Sequence, residues 1–407
     1  MGDPVLSSTH EATVRATLPA VGAHLETITA LFYDTMLAEN PELRRLFSRS
    51  AQASGEQRRA LAGAVIAFAS DLVGEGASFD PVIRRIAHRH ASLGIRPEQY
   101  TLVGRYLLNA VGAVLGDAVT PAVAAAWDEV YWLFACRLIG LEARLYAHAD
   151  IDPEHPWREV VVSHRREEAQ DTVSFVLTSA DGAPMPSYRA GQYVSVAVDL
   201  PDGGRQIRQY SLSQAAHGLG GLRITVRRVR GVGGAPDGLV SSHLVDNVRT
   251  GDRLEVSAPY GDLTLTAGTA PLVLVSAGVG ITPMAAILDH VSRTEPNRDV
   301  VVAHAERSLA RHCLRPDIIG SGARLRSFRH LVWYERQAPH EADGSTEVRA
   351  GRIEVDEIPL APEAQVYLCG PLPFMQAVRS RLRDRGVPGA QIRYEVFGSD
   401  AWVGSRS

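Results

Sequence analysis

Cysteine is scarce in this chain of 407 residues. The three present, Cys136, Cys313 and Cys369, are far apart and odd in number. They exclude a disulfide framework, and without a C-x-x-C pair there is no sign of a zinc or iron–sulfur site. An excess of charge is missing too. The formal net charge is −4 and the basic residues are spread out, which argues against nucleic acid or an anionic membrane surface as the main partner. The opening "MGDPVLSSTHEATVR" lacks the basic start and apolar run of a secretory leader. The longest uncharged run, "APLVLVSAGVGITPMAAIL", is broken by glycines and a proline, so it reads as strand, turn and helix rather than a membrane span. No internal repeat or low-complexity segment occurs. The expectation is a cytoplasmic protein without stable membrane association.

What is present falls into three compositions. Residues 1–150 are rich in Ala and Leu at helical spacing, as in "ALAGAVIAFASDLV", and predict an all-α domain. The linker "DIDPEHPW" carries two prolines and marks a boundary. Over 151–265 the period changes to two. Val173, Phe175 and Leu177 alternate with polar residues, as do Val194, Val196 and Val198, and then Leu222, Ile224 and Val226. An antiparallel β-barrel follows from that pattern. Over 266–407 the runs "LVLVS", "VVVAH", "HLVWY" and "VYLCG" are apolar on both faces, which suits a buried parallel sheet in an α/β domain.

The segment "VIRRIAHRHASLGIRPEQY" holds two histidines. On a helix, Ile83, Ile86, Ala87 and His90 share a face, whereas His88 points away with Arg85, Arg89 and Ser92. Spacing therefore predicts an inward His90 and a solvated His88. By itself, a histidine on an apolar helix face is more often a core residue than a ligand.

Around it, "LFYDTML", "NPELRRLF", "GEQRRAL" and "IRPEQY" occur in order, and this set resembles the globin domain of bacterial and yeast flavohemoglobins. The resemblance implies His90 as the proximal ligand of a haem b iron, with Tyr33 and Gln57 on the distal side. It implies Phe47 and Leu61 as residues packing on the haem, and Tyr100 and Glu142 as a network behind the proximal histidine. Arg89 fills a position where a basic residue could tune the haem. Taken singly, Tyr33, Phe47 and Leu61 read as core packing, and Glu142 as a solvated helix charge.

"GQY" (191–193), "RQYSLS" (208–213) and "GLVSSHL" (238–244) follow in an order similar to the FAD-binding barrel of the ferredoxin–NADP reductase superfamily. The likeness implies that Arg208 pairs with the pyrophosphate, Tyr210 lies against the flavin and Ser211 bonds near its N5. Tyr193, Gln209, Gly238, Val240 and Ser241 complete that set. Leu263 departs from the phenylalanine often found at its position. In "GVGITP", Gly278 and Gly280 permit a tight turn and close approach of a phosphate, with Val279 and Ile281 beside them, Thr282 expected as N-cap and Pro283 at the first helical position.

The likeness further implies Cys369 and Gly370 near the nicotinamide, against the plain reading of Cys369 as a buried structural thiol. It places Glu395, Val396, Phe397, Gly398 and Ser399 of "YEVFGS" near the flavin, with Val396 and Ser399 standing where relatives often carry Cys and Pro. Without a cofactor, Phe397 would be a core residue.

The three modules together resemble a flavohemoglobin over nearly the whole chain. This implies an NAD(P)H-dependent nitric oxide dioxygenase in which electrons pass from NADH or NADPH through FAD to haem, and nitric oxide and dioxygen become nitrate. A monomer is expected, with the small gases and the nicotinamide nucleotide as its partners. Two other classes stand beside it. One is a sensor that binds oxygen or nitric oxide without turnover; the other is a haem reductase with another acceptor such as a peroxide.

Overall fold

The computed structural model describes residues 6–46, 56–75, 78–200, 204–216, 220–231, 236–336 and 346–397; for 44–46, 56–59 and 62 it describes the backbone alone. Phe47, Gly398, Ser399 and the side chain of Gln57 therefore lie outside the described residues. Most of the chain divides at Pro156 and Trp157 into two compact units.

Among its described residues the first unit holds five α-helices: α1 (Ser8–Glu39), α2 (Glu56–Leu72), α3 (Asp80–Leu93), α4 (Pro97–Leu115) and α5 (Pro121–His148). No strand occurs among the described residues before Trp157, as the Ala- and Leu-rich composition predicts. Ser7 and Thr120 cap α1 and α5 by accepting backbone N–H groups of their first turns. The long α1 packs on α2, α4 and α5, and α5 packs on α3 and α4. Between them Ile28, Phe32, Met36, Ile83 and Leu138 are fully buried. Phe68, Phe79 and Phe134 form an aromatic cluster with centroids 5.0–6.0 Å apart. Truncating one such buried phenylalanine to alanine would cost ~3–5 kcal/mol.

The second unit begins with a six-stranded sheet. Its strands are β1 (Trp157–Ala169), β2 (Thr172–Ser179), β3 (Tyr193–Asp199), β4 (Arg205–Ser211), β5 (Leu222–Arg227) and β6 (Arg253–Ser257), in the order β4-β3-β6-β1-β2-β5. The pairs β1–β2, β1–β6, β2–β5 and β3–β6 are antiparallel. Leu212, just past β4, bridges Ile224 of β5, so the two edges meet and the sheet closes as a barrel. Val160, Val162, Phe175, Leu177, Val194, Val196 and Ile224 fill it. The helix α6 (Leu239–Asn247) packs on β5.

A second sheet follows with β7 (Leu272–Ala277), β8 (Val300–Glu306), β9 (Phe328–Tyr334), β10 (Glu347–Ala350), β11 (Gln365–Cys369) and β12 (Ile392–Glu395). The order is β10-β9-β8-β7-β11-β12 and every pairing is parallel. Helices α7 (Ile281–Thr294), α8 (Arg315–Gly322) and α9 (Leu372–Asp384) connect it, α7 covering β7 and β11. The four apolar runs are β7, β8, β9 and β11; the short edge strands β10 and β12 carry polar residues and left no such signal. Chain order reverses between β7 and β11, and in open parallel sheets the crevice at the carboxyl ends of such strands receives ligands.

Candidate functional site

The corner between α3 and α4 is set by local chemistry. Helix α3 ends because Gly94 takes the left-handed conformation (φ +73), which glycine adopts without a Cβ penalty. Pro97 then starts α4, and the Gln99 side chain accepts the Arg96 N–H at 2.8 Å, a cap that fixes the entry of the chain. This turn brings His90, near the end of one helix, against Tyr100, in the first turns of the next.

His90 Nδ1 lies 2.8 Å from the Tyr100 hydroxyl and 3.0 Å from Glu142 Oε1. Tyr100 in turn donates to Glu142 Oε1 at 2.5 Å. Glu142 comes from α5, and its side chain is only 3% exposed against 31% for His90. Burial, and then the Glu142 carboxylate, push the Tyr100 phenol far above its ordinary pKa, so it remains a donor. Both bonds of His90 are on Nδ1, and no described residue bonds its Nε2. Two further tyrosines of α5 reach the same corner. Tyr131 donates to the Tyr100 carbonyl, and Tyr146 to the carbonyls of Ile95 (3.1 Å) and Ala91 (3.3 Å).

His88 corrects an expectation. It is half-buried like His90, and it has an interaction partner of its own. Helical spacing separates the two rings by direction, yet both residues are half-buried. Partnership with a buried carboxylate, and not burial, distinguishes His90. Tyr33 is buried on α1 with its ring edge-on to Phe32 at 4.7 Å, while Leu61 and Arg89 are half-buried on α2 and α3.

In the second unit, Tyr193 opens β3 and is buried, exchanging backbone hydrogen bonds with Tyr260. Arg208, Gln209 and Tyr210 are half-buried along β4 and Ser211 is buried; Gln209 donates to Ser195 Oγ at 3.2 Å. Gly238 is the N-cap of α6, and no side chain caps that helix. Val240 and Ser241 are buried within its first turn.

After β7, Gly278 turns with φ +56, and Gly278–Gly280 form a short 3-10 turn leading into α7. A Cβ at Gly280 would approach the Cys369 carbonyl carbon to 2.6 Å and Gly370 N to 2.8 Å. Its glycine is therefore required by the backbone at the end of β11, at the reversal of strand order. Here too the sequence expectation needs correcting. Gly280 is the N-cap of α7, and Thr282 lies inside the helix, its hydroxyl donating to Val279 O at 2.9 Å. The 3-10 turn absorbs the residues that were expected to precede the helix, and this moves Pro283 past the first helical position. Val279 is half-buried and Ile281 buried beside them.

Cys369 is wholly buried, and burial, then the charge of Glu395, push its thiol well above the ordinary value. Phe397 is 44% exposed, so it is not a core residue. Glu395 and Val396 precede it, both half-buried.

Three family descriptions match: globin over residues 30–137, oxidoreductase FAD-binding domain over 159–265 and oxidoreductase NAD-binding domain over 274–380. The flavohemoprotein of Bordetella parapertussis is 42% identical over 97% of this chain and 99% of its own length. This chain belongs to the flavohemoprotein family. The flavohemoprotein of Rhizobium meliloti is 39% identical over 96% of this chain and 98% of its own. Among solved structures, the flavohemoglobin from Malassezia yamatoensis, with bound FAD and haem, superposes with a TM-score of 0.85. It is 35% identical, covering 97% of this chain and all of that one. The FAD/NAD-binding domain of a nitric oxide dioxygenase from Vibrio cholerae matches at TM-score 0.54 and 39% identity, over 59% of this chain and 98% of that one.

In this flavohemoprotein several residues of the second unit escaped sequence reasoning. Arg227, at the end of β5, donates to Glu306 Oε2 (2.7 Å) and to the Arg311 carbonyl (2.5 Å), and lies beside the Gly278 turn. It joins barrel and parallel sheet by a buried ion pair. His304, His312 and His330 form a second histidine cluster, with ring centroids 4.5 Å apart for the first pair and 6.3 Å for the second. The only signal was a histidine at the end of "VVVAH" and another at the start of "HLVWY".

Proposed function

We propose that this flavohemoprotein is an NAD(P)H-dependent nitric oxide dioxygenase, with a haem-binding domain at 1–150, an FAD-binding barrel at 151–265 and an NAD(P)-binding domain at 266–407. Haem b would bind and activate dioxygen, and NADH or NADPH would supply electrons through FAD. The observation that carries this reading is the buried Glu142 carboxylate behind His90. A carboxylate accepting the imidazole Nδ1–H makes the opposite nitrogen a stronger donor, which favours oxygen chemistry over storage.

The residues fit these groups. An iron on His90 would take its remaining donors from a porphyrin, in keeping with the globin description that matches residues 30–137. Glu142 and Tyr100 fix the tautomer by engaging Nδ1, which leaves Nε2 for the metal. Tyr33 would hydrogen-bond the bound gas on the other face, with Gln57, while Phe47 and Leu61 would pack on the ring and Arg89 tune it.

In the second unit α6 begins on a glycine with no side-chain cap, so its first N–H groups remain for phosphates. Arg208 and the start of α6 (Gly238, Val240, Ser241) would hold the flavin pyrophosphate. Tyr193, Gln209, Tyr210 and Ser211 would hold the isoalloxazine, with the "EVFGS" segment covering it; the exposed ring of Phe397 suits a residue that lies on a cofactor. The Gly278–Pro283 turn and the Cys369–Gly370 backbone would receive the nicotinamide nucleotide. A monomer in the cytoplasm suits the free thiols, and no helix among the described residues is long and apolar enough to cross a membrane.

The test is anaerobic reduction of the purified holoprotein by NADH or NADPH, followed by dioxygen and then nitric oxide, with nitrate measured. Rapid reduction of both cofactors and stoichiometric nitrate are expected. Reduction without nucleotide-dependent consumption of nitric oxide would sink the dioxygenase reading in favour of a sensor or of another acceptor.

A further inference from the structure

One strand away from the Gly278 turn, the parallel sheet carries a second marked position. β7, α7 and β8 form a βαβ unit, and β9 lies beyond β8 in the order β9-β8-β7. A dinucleotide whose pyrophosphate sits at the turn after β7 lays its adenosine ribose over the end of the next strand, here β8. An acid at that strand end binds the ribose hydroxyls of NADH, whereas an arginine nearby accommodates the 2′-phosphate of NADPH. Glu306 ends β8, so an acid stands at the right position. It is already engaged. Its side chain is only 3% exposed; one carboxylate oxygen accepts from Arg227 Nη2 at 2.7 Å and the other from the Arg307 N–H at 2.8 Å.

What this end of the sheet offers instead is positive. Arg307 follows Glu306 and is exposed. Arg336 stands beside it just past β9, its N–H donating to the Arg307 carbonyl at 2.9 Å, and it too is exposed. Neither guanidinium has a hydrogen-bond or ion-pair partner among the described residues, whereas the neighbouring acid Glu335 pairs with Arg352 at 3.4 Å. The Ser308 hydroxyl, next in the chain, caps nothing. Exposed arginines are commonly no more than solvated charges, and it is position that singles out these two. We propose that Arg307, with Arg336 beside it, receives the 2′-phosphate of NADPH, so that this protein takes NADPH in preference to NADH. The inference rests on the nicotinamide nucleotide lying at the Gly278 turn. A phosphate needs donors, which a guanidinium supplies in a fork matched to its oxygens. A ribose diol needs an acceptor, and Arg227 already occupies the one at this strand end. By neutralising Glu306, Arg227 also removes the like charge that would repel a phosphate there.

The experiment is isothermal titration calorimetry of the oxidised full-length holoprotein with two probes that differ by one phosphate, adenosine 2′,5′-bisphosphate and adenosine 5′-monophosphate. The bisphosphate should bind at least ~10-fold more tightly, the size of one charge-assisted contact. That margin should shrink with added salt, because exposed charges are screened. Arg307→Ala should weaken the bisphosphate by about 10-fold and leave the monophosphate unchanged. Arg307→Lys should keep most of the affinity, since the charge remains, and Arg336→Ala should cause a smaller loss of the same kind. The ratio of flavin reduction by NADPH to that by NADH, followed by stopped flow at low nucleotide, should fall in parallel. Equal affinity for the two probes in the wild type would overturn the inference, as would a preference that survives in the Arg307→Ala/Arg336→Ala double variant. Equal weakening of both probes by Arg307→Ala would do the same, since a distorted strand end predicts that. If neither probe binds, and neither NADP+ nor NAD+ does, the placement of the nucleotide has failed and the inference falls with it. Binding of both probes without a phosphate preference fails the inference alone.

Discussion

Two groups of histidines in this protein share a design and differ in one respect. In the first unit His90 is anchored through Nδ1; in the second, His304, His312 and His330 are anchored in the same way. The partners differ. His90 has a buried carboxylate behind it and a partly open ring. The three others are buried against neutral hydroxyls: Ser276 at 2.9 Å, Tyr334 at 2.7 Å and Thr346 at 3.1 Å. A carboxylate prepares an imidazole to donate to a metal; a hydroxyl satisfies one nitrogen and keeps a neutral ring in a core. The comparison teaches that the partner's charge, more than burial, sets the proposed ligand histidine apart from the three in the second unit.

The largest expected effect comes from His90→Ala. It should remove normal haem ligation, visible as loss or displacement of the Soret band, and lower nitric oxide consumption by more than ~100-fold, beyond the usual cost of losing a supporting residue. His312→Leu should leave the Soret band in place. A retained, normally ligated Soret band in His90→Ala would break the comparison.

Acid should act on the other group. Burial, followed by the neighbouring histidines, holds His304 well below its ordinary pKa and lowers His312 to about 3. The nearby cations Arg227 and Arg315 push the same way. Because the folded values lie below the unfolded value of 6.5, the unfolded chain binds more protons as pH falls through 6.5. Stability contributed by these neutral rings is complete above 6.5 and is lost from there down toward 3, by on the order of a few kcal/mol. The second unit should therefore release flavin on acidification, followed by fluorescence. His312→Leu should flatten that limb despite forfeiting ~1 kcal/mol of hydrogen bonding with Tyr334. An unchanged acid limb in a His304→Leu/His312→Leu double variant would remove the cluster from the account.

These histidines also mark what the sequence could and could not disclose. The changes of period along the chain announced an all-α region, a barrel and a parallel sheet, because burial of one face or of two leaves its mark on composition. The pairing of His90 with Glu142, 52 residues away, leaves none; only the likeness of ordered motifs supplied it. The second cluster is assembled by strand register. His304 stands opposite Ser276 on β7, and His330 lies on the adjacent β9 opposite Val302, two residues before His304 on β8. A period-two reading records such positions as buried polar interruptions and cannot pair them. Thr282 shows the opposite failure. Its local signal was strong, but a 3-10 turn ahead of α7 displaced the cap to Gly280.

A smaller effect sharpens the contrast. Glu142→Gln keeps the shape behind His90 and makes its partner neutral, as in the second cluster. Turnover with nitric oxide should fall by roughly 10- to 100-fold, the usual consequence of losing a metal ligand's hydrogen-bonding partner. Reduction of FAD by the nucleotide should proceed at the wild-type rate, because that step belongs to the other unit. Equal loss in both steps, seen by stopped-flow absorbance, would place the defect in folding and not in the partner's charge.

The smallest effect belongs to His88, two residues from the proposed ligand and as covered as it is. Burial alone would rank the two histidines together and predict comparable damage from removing either. The Glu142 carboxylate bonds His90, and helical spacing turns His88 away from that corner, which ranks them far apart. His88→Ala should therefore leave the Soret maximum and the iron–imidazole stretch at wild-type positions. Stability should change by about 1 kcal/mol or less, the centre of the usual range for a point substitution. A displaced Soret band in this variant, measured beside His90→Ala, would show that His88 takes part in ligation. Coverage by the fold, and not the buried carboxylate, would then be the better guide to the ligand.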